Sequence, residues 1–315
     1  MTEVRNIIVI GSGPAGYTAA LYAQRSGLNP LLITGMEIGG QLMQTTGVEN
    51  FPGFISIQGH ELMSNMESQI KHLGAEIIID HITSVEKVNN VFKIQGESKE
   101  YLAKTVVIAT GSSAKWLGVK GEDTFKGFGV SSCATCDGFF FKNQVVAVIG
   151  GGNTAIEEAI YLAGIASTVY LIHRRDTLRG EHIMQTKLFN TKNIIPIWDT
   201  VLEEIQGDTE NKAVNTISLK NLKTNNISSL AVDGVFIAIG HNPNTAFLQN
   251  KVDVDESGYI ITKDNGCAVL YKGNIIGGLF AAGDVKDSVY RQAITSAGSG
   301  CMAAIDAQHY ILMNE

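Results

Sequence analysis

One pattern occurs twice in this chain, and it constrains the fold more than any other feature. Residues 6–16 read N-I-I-V-I-G-S-G-P-A-G, and residues 145–155 read V-V-A-V-I-G-G-G-N-T-A. Each copy is an apolar run that is interrupted by glycines and followed by a helical pattern. That order indicates a buried strand, a tight turn and a helix, and the copies lie about one domain length apart.

Both copies continue as βαβ units of the doubly wound kind, and each half has a later apolar strand that ends in a small-residue turn. Turn signals at Asn89-Asn90 and Gly207-Asp208 predict a small antiparallel meander in each half. Glycines 27 and 164 are predicted to cap the helices. The predicted elements are helices at 17–26 and 155–163, and strands at 30–34, 105–111, 168–173 and 235–240.

The end of the chain does not fit a simple tandem. Residues 279–284 read L-F-A-A-G-D, and a helix is predicted from about 290 to 313, with apolar or small residues along one face. We expect this tail to fold back onto the first domain. The prediction is an α/β protein with two Rossmann-like dinucleotide-binding domains, the second (117–247) inserted into the first (1–116 and 248–315). Crossings near 113–118 and 243–248 make a natural hinge.

Composition excludes several classes of protein. Lys plus Arg is 24, Asp plus Glu is 31, and the net charge of −7 argues against binding to nucleic acid. No apolar run reaches the ~18 residues of a membrane span, and the first residues lack the apolar core of a signal peptide, so we expect a cytoplasmic protein. The chain has four cysteines, and in a cytoplasmic protein we do not expect them to form a scaffold of structural disulfides.

The first glycine motif predicts a dinucleotide site. Gly11 permits the tight turn, Gly13 lets the backbone approach a pyrophosphate, and Gly16 permits close packing of helix and strand, with Pro14 and Ala15 between them. Glu37 is the acidic residue expected to bind a ribose hydroxyl. The alternative is an ordinary strand-to-helix turn.

The second motif is the variant with Gly150, Gly152 and Ala155, and Asn153 and Thr154 begin its helix. An NAD site has an acidic residue at the end of the second strand of its βαβ unit. Here the strand predicted at 168–173 ends in cations instead, and cations favour NADPH because they can bind its 2′-phosphate. A solvated basic turn is the alternative. The predicted phosphate-binding residues are His173, Arg174, Arg175 and Arg179.

The tail indicates which site holds the resident carrier. Small residues in L-F-A-A-G-D permit close approach to a flat cofactor, and Asp284, after Gly283, can accept a hydrogen bond from a sugar-alcohol hydroxyl. The helix after Arg291-Gln292-Ala293 can stabilise negative charge on a reduced flavin. The first domain with the tail is therefore the predicted FAD site, and the insert the site of exchangeable NADPH.

Two thiols three residues apart, Cys133 and Cys136, can form a reducible disulfide. Half of a zinc site and an inert pair are the alternatives, although no second pair is present to complete a zinc site. Asp137 is an acid that can protonate a leaving thiolate, or simply a cap. Cys267 and Cys301 are isolated and are predicted to be core residues, with a regulatory role for Cys267 as a weaker alternative.

The motifs G-S-G-P-A-G, C-A-T-C-D-G, G-G-G-N-T-A, H-R-R and A-A-G-D, followed by Y-R-Q-A, occur in that order, and over essentially its whole length the chain resembles bacterial-type low-molecular-weight thioredoxin reductases. The resemblance implies a homodimer that passes electrons from NADPH through FAD and the cysteine pair to thioredoxin. It also implies that Cys136 faces the flavin, Cys133 exchanges with thioredoxin, and Asp137 is the acid. It also carries over Gln41 and Asn50 near the flavin, and His241, Pro243 and Asn244 at the domain junction. Further residues predicted to bind a cofactor are Gly40, Ala109, Thr110 and Gly111.

Residues 266–277 depart from the family because they lack its usual Thr/Ser-Pro approach to the A-A-G-D strand, and Cys267 is not typical. Because nicotinamide and disulfide must each reach one flavin within ~3–3.5 Å, we expect the inserted domain to rotate between half-reactions. Three rival functions are an FAD-dependent dithiol oxidase, an NADPH:ferredoxin-type reductase, and a nucleotide-sensing or zinc-binding module without catalysis.

Overall fold

The computed structural model describes residues 3–45 and 47–314. The chain divides into two compact units, Met1–Ser113 with Asn242–Glu315 (unit 1) and Ala114–His241 (unit 2). The domain boundaries predicted at 116/117 and 247/248 remain predictions. Within the described residues, no helix has both the length and the apolar composition needed to cross a membrane.

In the part of the chain that the structure describes, the two units contain twenty strands and seven α-helices, together with short 3-10 helices. In chain order the strands are β1 (Val4–Ile10), β2 (Leu31–Ile33), β3 (Gly47–Val48), β4 (Ile57–Gln58), β5 (Glu76–Ile78), β6 (Ile82–Val88), β7 (Val91–Gly96), β8 (Glu100–Ile108), β9 (Ser112–Ala114), β10 (Val130–Ser131), β11 (Val145–Ile149), β12 (Thr168–Ile172), β13 (Ile194–Ile197), β14 (Thr200–Asp208), β15 (Ala213–Asn221), β16 (Ile227–Ala231), β17 (Gly234–Ile237), β18 (His241–Pro243), β19 (Ala268–Tyr271) and β20 (Asn274–Ala281). The helices are α1 (Pro14–Arg25), α2 (Gly59–His72), α3 (Glu122–Phe125), α4 (Ala134–Asp137), α5 (Asn153–Ala163), α6 (His182–Phe189) and α7 (Ala293–Asn314).

Unit 1 is built on a mixed sheet in the order β19-β20-β8-β1-β2-β5. The strands from β20 to β5 are parallel, and β6 and β7 continue from β8 as the predicted antiparallel meander. Strand β1 is apolar at consecutive positions because helices cover one face and other elements of unit 1 cover the second. Ile7 and Val9 accordingly lie in one core, and Ile8 and Ile10 in another.

The tail completes unit 1, as the sequence predicts. Strand β20 pairs with β8, and α7 packs beside α1. The helix begins at Ala293 rather than near 290, because Arg291 adopts a left-handed backbone with φ of 48°. A residue in that region ends helical hydrogen bonding, so the preceding residues form a turn.

Unit 2 contains a parallel sheet in the order β10-β17-β11-β12-β13 and a separate antiparallel meander of β14, β15 and β16. The predicted meander is therefore confirmed in each half. Strand β11 again buries both faces, with Val146 and Val148 in one core and Ala147 and Ile149 in the other. The connecting strands β9 and β18 pair as a two-stranded sheet.

Candidate functional site

The first glycine turn connects β1 to α1 and is packed tightly on its protein side. A Cβ on Gly11 (φ 110°) would strike the carbonyl of Ala109, and a Cβ on Gly16 would strike the carbonyl oxygen of Gly11. Gly13, the N-cap of α1, has nothing within 4 Å of the place a Cβ would take. The free N–H groups of the helix therefore lie beside open space, which suits a phosphate.

A serine inside this turn holds the loop that follows β2. The buried Ser12 hydroxyl donates to the carbonyl of Thr34 at 3.2 Å and accepts from the N–H of Gly39 at 3.0 Å. Glu37 lies exposed on that loop, and Gln41 lies exposed just beyond it. A Cβ on Gly40 would be 3.5 Å from the Cα of Gly13, so the loop borders the glycine turn. Sequence analysis missed Ser12, for which the only signal is its place between two glycines.

The A-A-G-D segment places a carboxylate near the start of α7. The Ser296 hydroxyl donates to Oδ1 of Asp284 at 2.9 Å, and the N–H of Gly283 donates to the hydroxyl of Ser299 at 2.8 Å. Burial raises the pKa of Asp284 to about 6, although the bond from Ser296 opposes the shift. A carboxylate in these surroundings gains from a further hydroxyl donor.

The structure brings together two predicted flavin residues that lie far apart in sequence. Nδ2 of Asn50 donates to Oε1 of Gln292 at 3.3 Å; Asn50 is exposed and Gln292 is half-buried. Gln292 also donates through Nε2 to the carbonyl of Tyr290 at 3.2 Å. Its place directly before Ala293, the first residue of α7, is fixed by the turn at Arg291.

The small-residue turn after β8 lies next to Gly11. The N–H of Ala109 donates to the carbonyl of Ile10 at 2.8 Å. The next residue, Thr110, exchanges two hydrogen bonds with Asn244. The Thr110 hydroxyl donates to the backbone carbonyl of Asn244, and Nδ2 of Asn244 donates to the backbone carbonyl of Thr110, both at 2.8 Å. Asn244 N–H donates to the carbonyl of Gly111 at 3.0 Å. These bonds hold the backbone of 109–111 beside the first glycine turn.

Cys133 and Cys136 form a disulfide in unit 2, with their Cα atoms 5.3 Å apart. Cys133 is the N-cap of α4, and its N–H donates to the hydroxyl of Ser131 at 3.0 Å. Both cysteines are half-buried. The described residues contain no group of three or more potential metal-ligating side chains, so nothing there completes a zinc site at this pair.

Asp137, the last residue of α4, is suited to holding a proton. Its backbone N–H donates to the carbonyl of Cys133 at 3.1 Å, which places it within one turn of the sulfurs. Burial raises the pKa of its carboxyl, and the hydroxyl of Ser131 partly opposes this shift. A raised pKa keeps a larger fraction of the acid protonated near neutral pH.

A cavity of about 370 Å³ lies at the second glycine turn, where β11, β12 and β17 end. This is the edge at which doubly wound sheets bind nucleotides. Gly152, the N-cap of α5, has nothing within 4 Å of the place a Cβ would take. The lining includes Thr154 beside residues that sequence analysis missed, namely Gly151, Thr200, Leu202, Ala238, Ile239 and Gly240.

The cations after β12 differ in where they lie. Arg174 and Arg179 are exposed and line the cavity, and the N–H of Arg179 donates to the carbonyl of Gly151 at 2.8 Å. Arg175 is exposed but is not among the lining residues. Asn153 holds the end of this loop, because its Oδ1 accepts from the N–H of Glu181 at 2.8 Å.

His173 differs from the arginines because it is 4% exposed and packs directly against Gly151. Burial lowers its pKa, and the charges of Arg179 and Arg175 lower it further. His173 lines the cavity, but its environment favours a neutral ring rather than a cation for a phosphate. A histidine that ends a strand looks exposed in the sequence, so its burial had no local signal.

Cys267 is a core residue, as predicted. It is 1% exposed, its thiol donates to the carbonyl of Ser299 at 3.6 Å, and burial raises its pKa to about 11. Cys301 is half-buried on α7.

The residues present fit two dinucleotides. In each unit a glycine N-cap leaves open space in front of a helix, where a Cβ would meet no other atom. Unit 1 adds the carboxylate of Asp284, and unit 2 adds two arginines and a buried imidazole nitrogen.

Comparisons with known proteins agree with this geometry. Residues 5–300 match the model of the family described as pyridine nucleotide-disulphide oxidoreductase. A protein of Rickettsia conorii named thioredoxin reductase is 49% identical over 313 residues, with 99% of each chain covered. The solved thioredoxin reductase of Streptococcus pyogenes is 39% identical with a TM-score of 0.92, covering 99% of this chain and 100% of that one. The solved thioredoxin reductase of Lactococcus lactis, described as the FR conformation, is 39% identical with a TM-score of 0.64, covering 98% of this chain and 99% of that one.

Proposed function

Because the chain belongs to the thioredoxin reductases of the pyridine nucleotide-disulphide oxidoreductase family, we propose that it reduces the disulfide of a thioredoxin with electrons from NADPH, using resident FAD. The observation that carries the proposal is the Cys133–Cys136 disulfide, which lies in the same unit as the nucleotide cavity and is followed by Asp137, an acid of raised pKa.

In this proposal the two nucleotides bind in different units. NADPH takes the cavity of unit 2, with Arg174 and Arg179 on its 2′-phosphate. FAD, when bound, supplies a carrier that exchanges two electrons with both a nicotinamide and a disulfide. The residues proposed to hold FAD, all in unit 1, are Gly11, Gly13, Pro14, Ala15, Gly16, Glu37, Gly40, Gln41, Asn50, Ala109, Thr110, Gly111, Gly283, Asp284, Arg291, Gln292 and Ala293.

The cysteine pair performs the exchange with the protein substrate. Reduction of the Cys133–Cys136 bond takes up two electrons and two protons and yields two thiols. The Cys133 thiolate then attacks one sulfur of the thioredoxin disulfide, and Asp137 gives a proton to the thiolate that leaves. Attack by Cys136 on the mixed disulfide releases reduced thioredoxin and restores the Cys133–Cys136 bond.

We further propose that unit 2 rotates relative to unit 1 between the half-reactions. The Streptococcus pyogenes and Lactococcus lactis structures are equally identical to this chain, at 39%, but their TM-scores are 0.92 and 0.64. Equal identity excludes sequence distance as the reason, which supports different arrangements of large parts in these two relatives. Gly118 and Gly240, near the two connections, have φ of 71° and 98°, and glycines of this kind tolerate backbone rotation.

A crosslink between the units tests rotation. A bifunctional reagent that locks them is expected to leave one half-reaction and stop the other, measured as flavin bleaching by NADPH and as appearance of thiols. Normal rates of both half-reactions in the locked protein contradict the proposal. The family resemblance also leads us to propose a cytoplasmic homodimer, which light scattering tests as a mass of about twice the 33.8 kDa of the chain.

The decisive experiment is NADPH-dependent reduction of thioredoxin by wild type and by Cys133→Ser, with Cys301→Ser as a matched control. We expect the control to retain activity and Cys133→Ser to lose it, while NADPH still bleaches the flavin of both anaerobically. A flavin that NADPH does not bleach indicates a dithiol oxidase instead. A colourless protein or one with bound metal indicates a non-catalytic module, and full activity of Cys133→Ser rejects the dithiol route.

A further inference from the structure

A residue that lines the cavity of unit 2 has a buried polar atom without a partner among the described residues. Among residues 3–45 and 47–314, no hydrogen-bonding group contacts Nε2 of His173, although the residue is 4% exposed. Both backbone groups of His173 are hydrogen-bonded, because its N–H donates to the carbonyl of Ile197 and its carbonyl accepts from the N–H of Thr200. A buried, unpaired nitrogen on a fixed backbone indicates a binding partner from outside the chain.

The imidazole presents that nitrogen as an acceptor. A backbone hydrogen bond at Thr177 favours a hydrogen on the ring, and Nδ1 is the nitrogen left to make it. Burial and the charges of Arg179, Arg175 and Arg174 lower the pKa of His173, which favours the neutral ring. A neutral ring with its hydrogen on Nδ1 has a free lone pair on Nε2.

Its neighbours place His173 between two parts of a nucleotide. The ring packs against Gly151, in the turn that suits a pyrophosphate, and the next residue is Arg174, which suits a 2′-phosphate. The sugar of the adenosine half lies between these groups in any 2′-phosphorylated dinucleotide. A lone pair would repel phosphate oxygens, so the partner of Nε2 must be a hydrogen-bond donor.

We propose that Nε2 of His173 accepts a hydrogen bond from the adenosine half of the 2′-phosphorylated nucleotide, from the ribose 3′-hydroxyl or from the adenine amino group. His173 is then a binding residue that recognises the nucleoside, whereas Arg174 and Arg179 recognise the phosphate. The inference rests on the proposed NADPH site, and it adds the imidazole of His173 as the group that binds the ribose or the adenine.

Calorimetric titration of the FAD-loaded protein tests the inference without an assay of activity. The probes are adenosine 2′,5′-bisphosphate, its 3′-deoxy analogue and its inosine counterpart, which lacks the amino group. We expect one analogue to bind roughly 3- to 10-fold more weakly than the parent, the effect of one hydrogen bond. Weaker binding of the 3′-deoxy compound identifies the ribose 3′-hydroxyl as the donor to Nε2. Weaker binding of the inosine compound identifies the adenine amino group as the donor.

Variants of His173 then test whether this residue causes the difference in affinity between the parent and the analogue. His173→Phe keeps a buried ring but has no acceptor, so we expect the parent and the discriminating analogue to bind equally. Preference for the bisphosphate over adenosine 5′-monophosphate is expected to persist, because both arginines remain. His173→Gln restores an acceptor and part of the discrimination. His182→Phe makes the same change at an exposed position outside the cavity and is expected to behave as wild type.

The outcomes separate the two proposals. Equal affinity of the wild type for all three probes overturns the role of His173, and this result needs no variant to fold. Equal weakening of all three probes in His173→Phe also overturns it. Failure of the wild type to bind any of them, or to prefer the 2′-phosphate, contradicts the NADPH site itself.

Discussion

The hydroxyl of Ser296, in the first turn of α7, donates a 2.9 Å hydrogen bond to Oδ1 of Asp284. Burial nevertheless raises the pKa of Asp284 to about 6, from an ordinary value of 3.8. The folded protein therefore holds this proton more tightly than the unfolded chain does. The stabilisation is complete below pH 3.8 and is lost as the pH rises through 6, so ionised Asp284 destabilises the flavin-free protein above pH 6.

Asp284→Asn is expected to stabilise the flavin-free protein at pH 8, by about 1–3 kcal/mol in the free energy of unfolding, because the uncharged amide avoids that loss. The gain shrinks toward pH 4. Urea denaturation at both pH values measures it, and equilibrium dialysis is expected to show weaker retention of FAD. Ser296→Ala, which removes the opposing hydrogen bond, moves the pH dependence upward. A variant less stable than wild type at pH 8 contradicts this account.

Two glycines of α7 provide a matched pair of substitutions. A Cβ on Gly300 would strike the carbonyl oxygen of Ala15 in α1, which cannot move aside, whereas a Cβ on Gly298 has nothing within 4 Å. We expect Gly300→Ala to lower the free energy of unfolding by about 2–4 kcal/mol. Gly298→Ala is expected to raise it by roughly 0.5–1 kcal/mol through helix propensity. Urea denaturation distinguishes them, and equal effects disprove the close approach of α1 and α7.

Local patterns predicted the two βαβ units, because each strand and helix has its own periodicity. The prediction that Gly27 ends the first helix is confirmed, with φ of 73° just after the C-cap at Ser26. The start of α7 could not be predicted, because nothing in the sequence marks Arg291 for a left-handed backbone. Ser12 and Ser296 were also missed, since their partners, Gly39 and Asp284, come from distant segments that only the folded chain brings close.

The cavity-lining arginines predict selectivity for NADPH over NADH. We expect Arg174→Ala and Arg179→Ala each to raise the KM for NADPH by about 10- to 100-fold, the effect of a charge-assisted hydrogen bond, with little change for NADH. Arg175, outside the lining, is expected to contribute less. Steady-state kinetics measure these effects, and Lys187→Ala removes an exposed charge of unit 2 as the control. Equal losses with both nucleotides indicate a general role in folding.

Asp137→Asn is expected to slow thioredoxin reduction by about 10²-fold, because the amide cannot supply a proton. In wild type the rate falls as the pH rises through the raised pKa of Asp137, and the variant lacks this limb. Stopped-flow measurement of the thiol exchange between pH 5 and 9 tests both points. Ser131→Ala, which removes the group that lowers the pKa, moves the limb to higher pH. An unchanged profile in Asp137→Asn assigns the residue a structural role.

Thiol labelling tests the burial of Cys267. In a Cys133→Ser, Cys136→Ser double variant at pH 8, we expect Cys301 to react with an alkylating reagent much faster than Cys267, whose pKa is raised to about 11. Urea is expected to make the two react at similar rates. Mass spectrometry of the labelled peptides measures both, and rapid native labelling of Cys267 supports a regulatory thiol.

The pair of hydrogen bonds at Ser12 joins the glycine turn of unit 1 to the loop that carries Glu37. The two edges of the proposed dinucleotide site are thus held together by the folded chain itself, and a ligand that binds there does not have to order them. Preorganisation of this kind preserves binding energy that a flexible loop would lose as entropy. A single hydroxyl within the glycine motif thereby favours long residence of the dinucleotide that we propose to bind in unit 1.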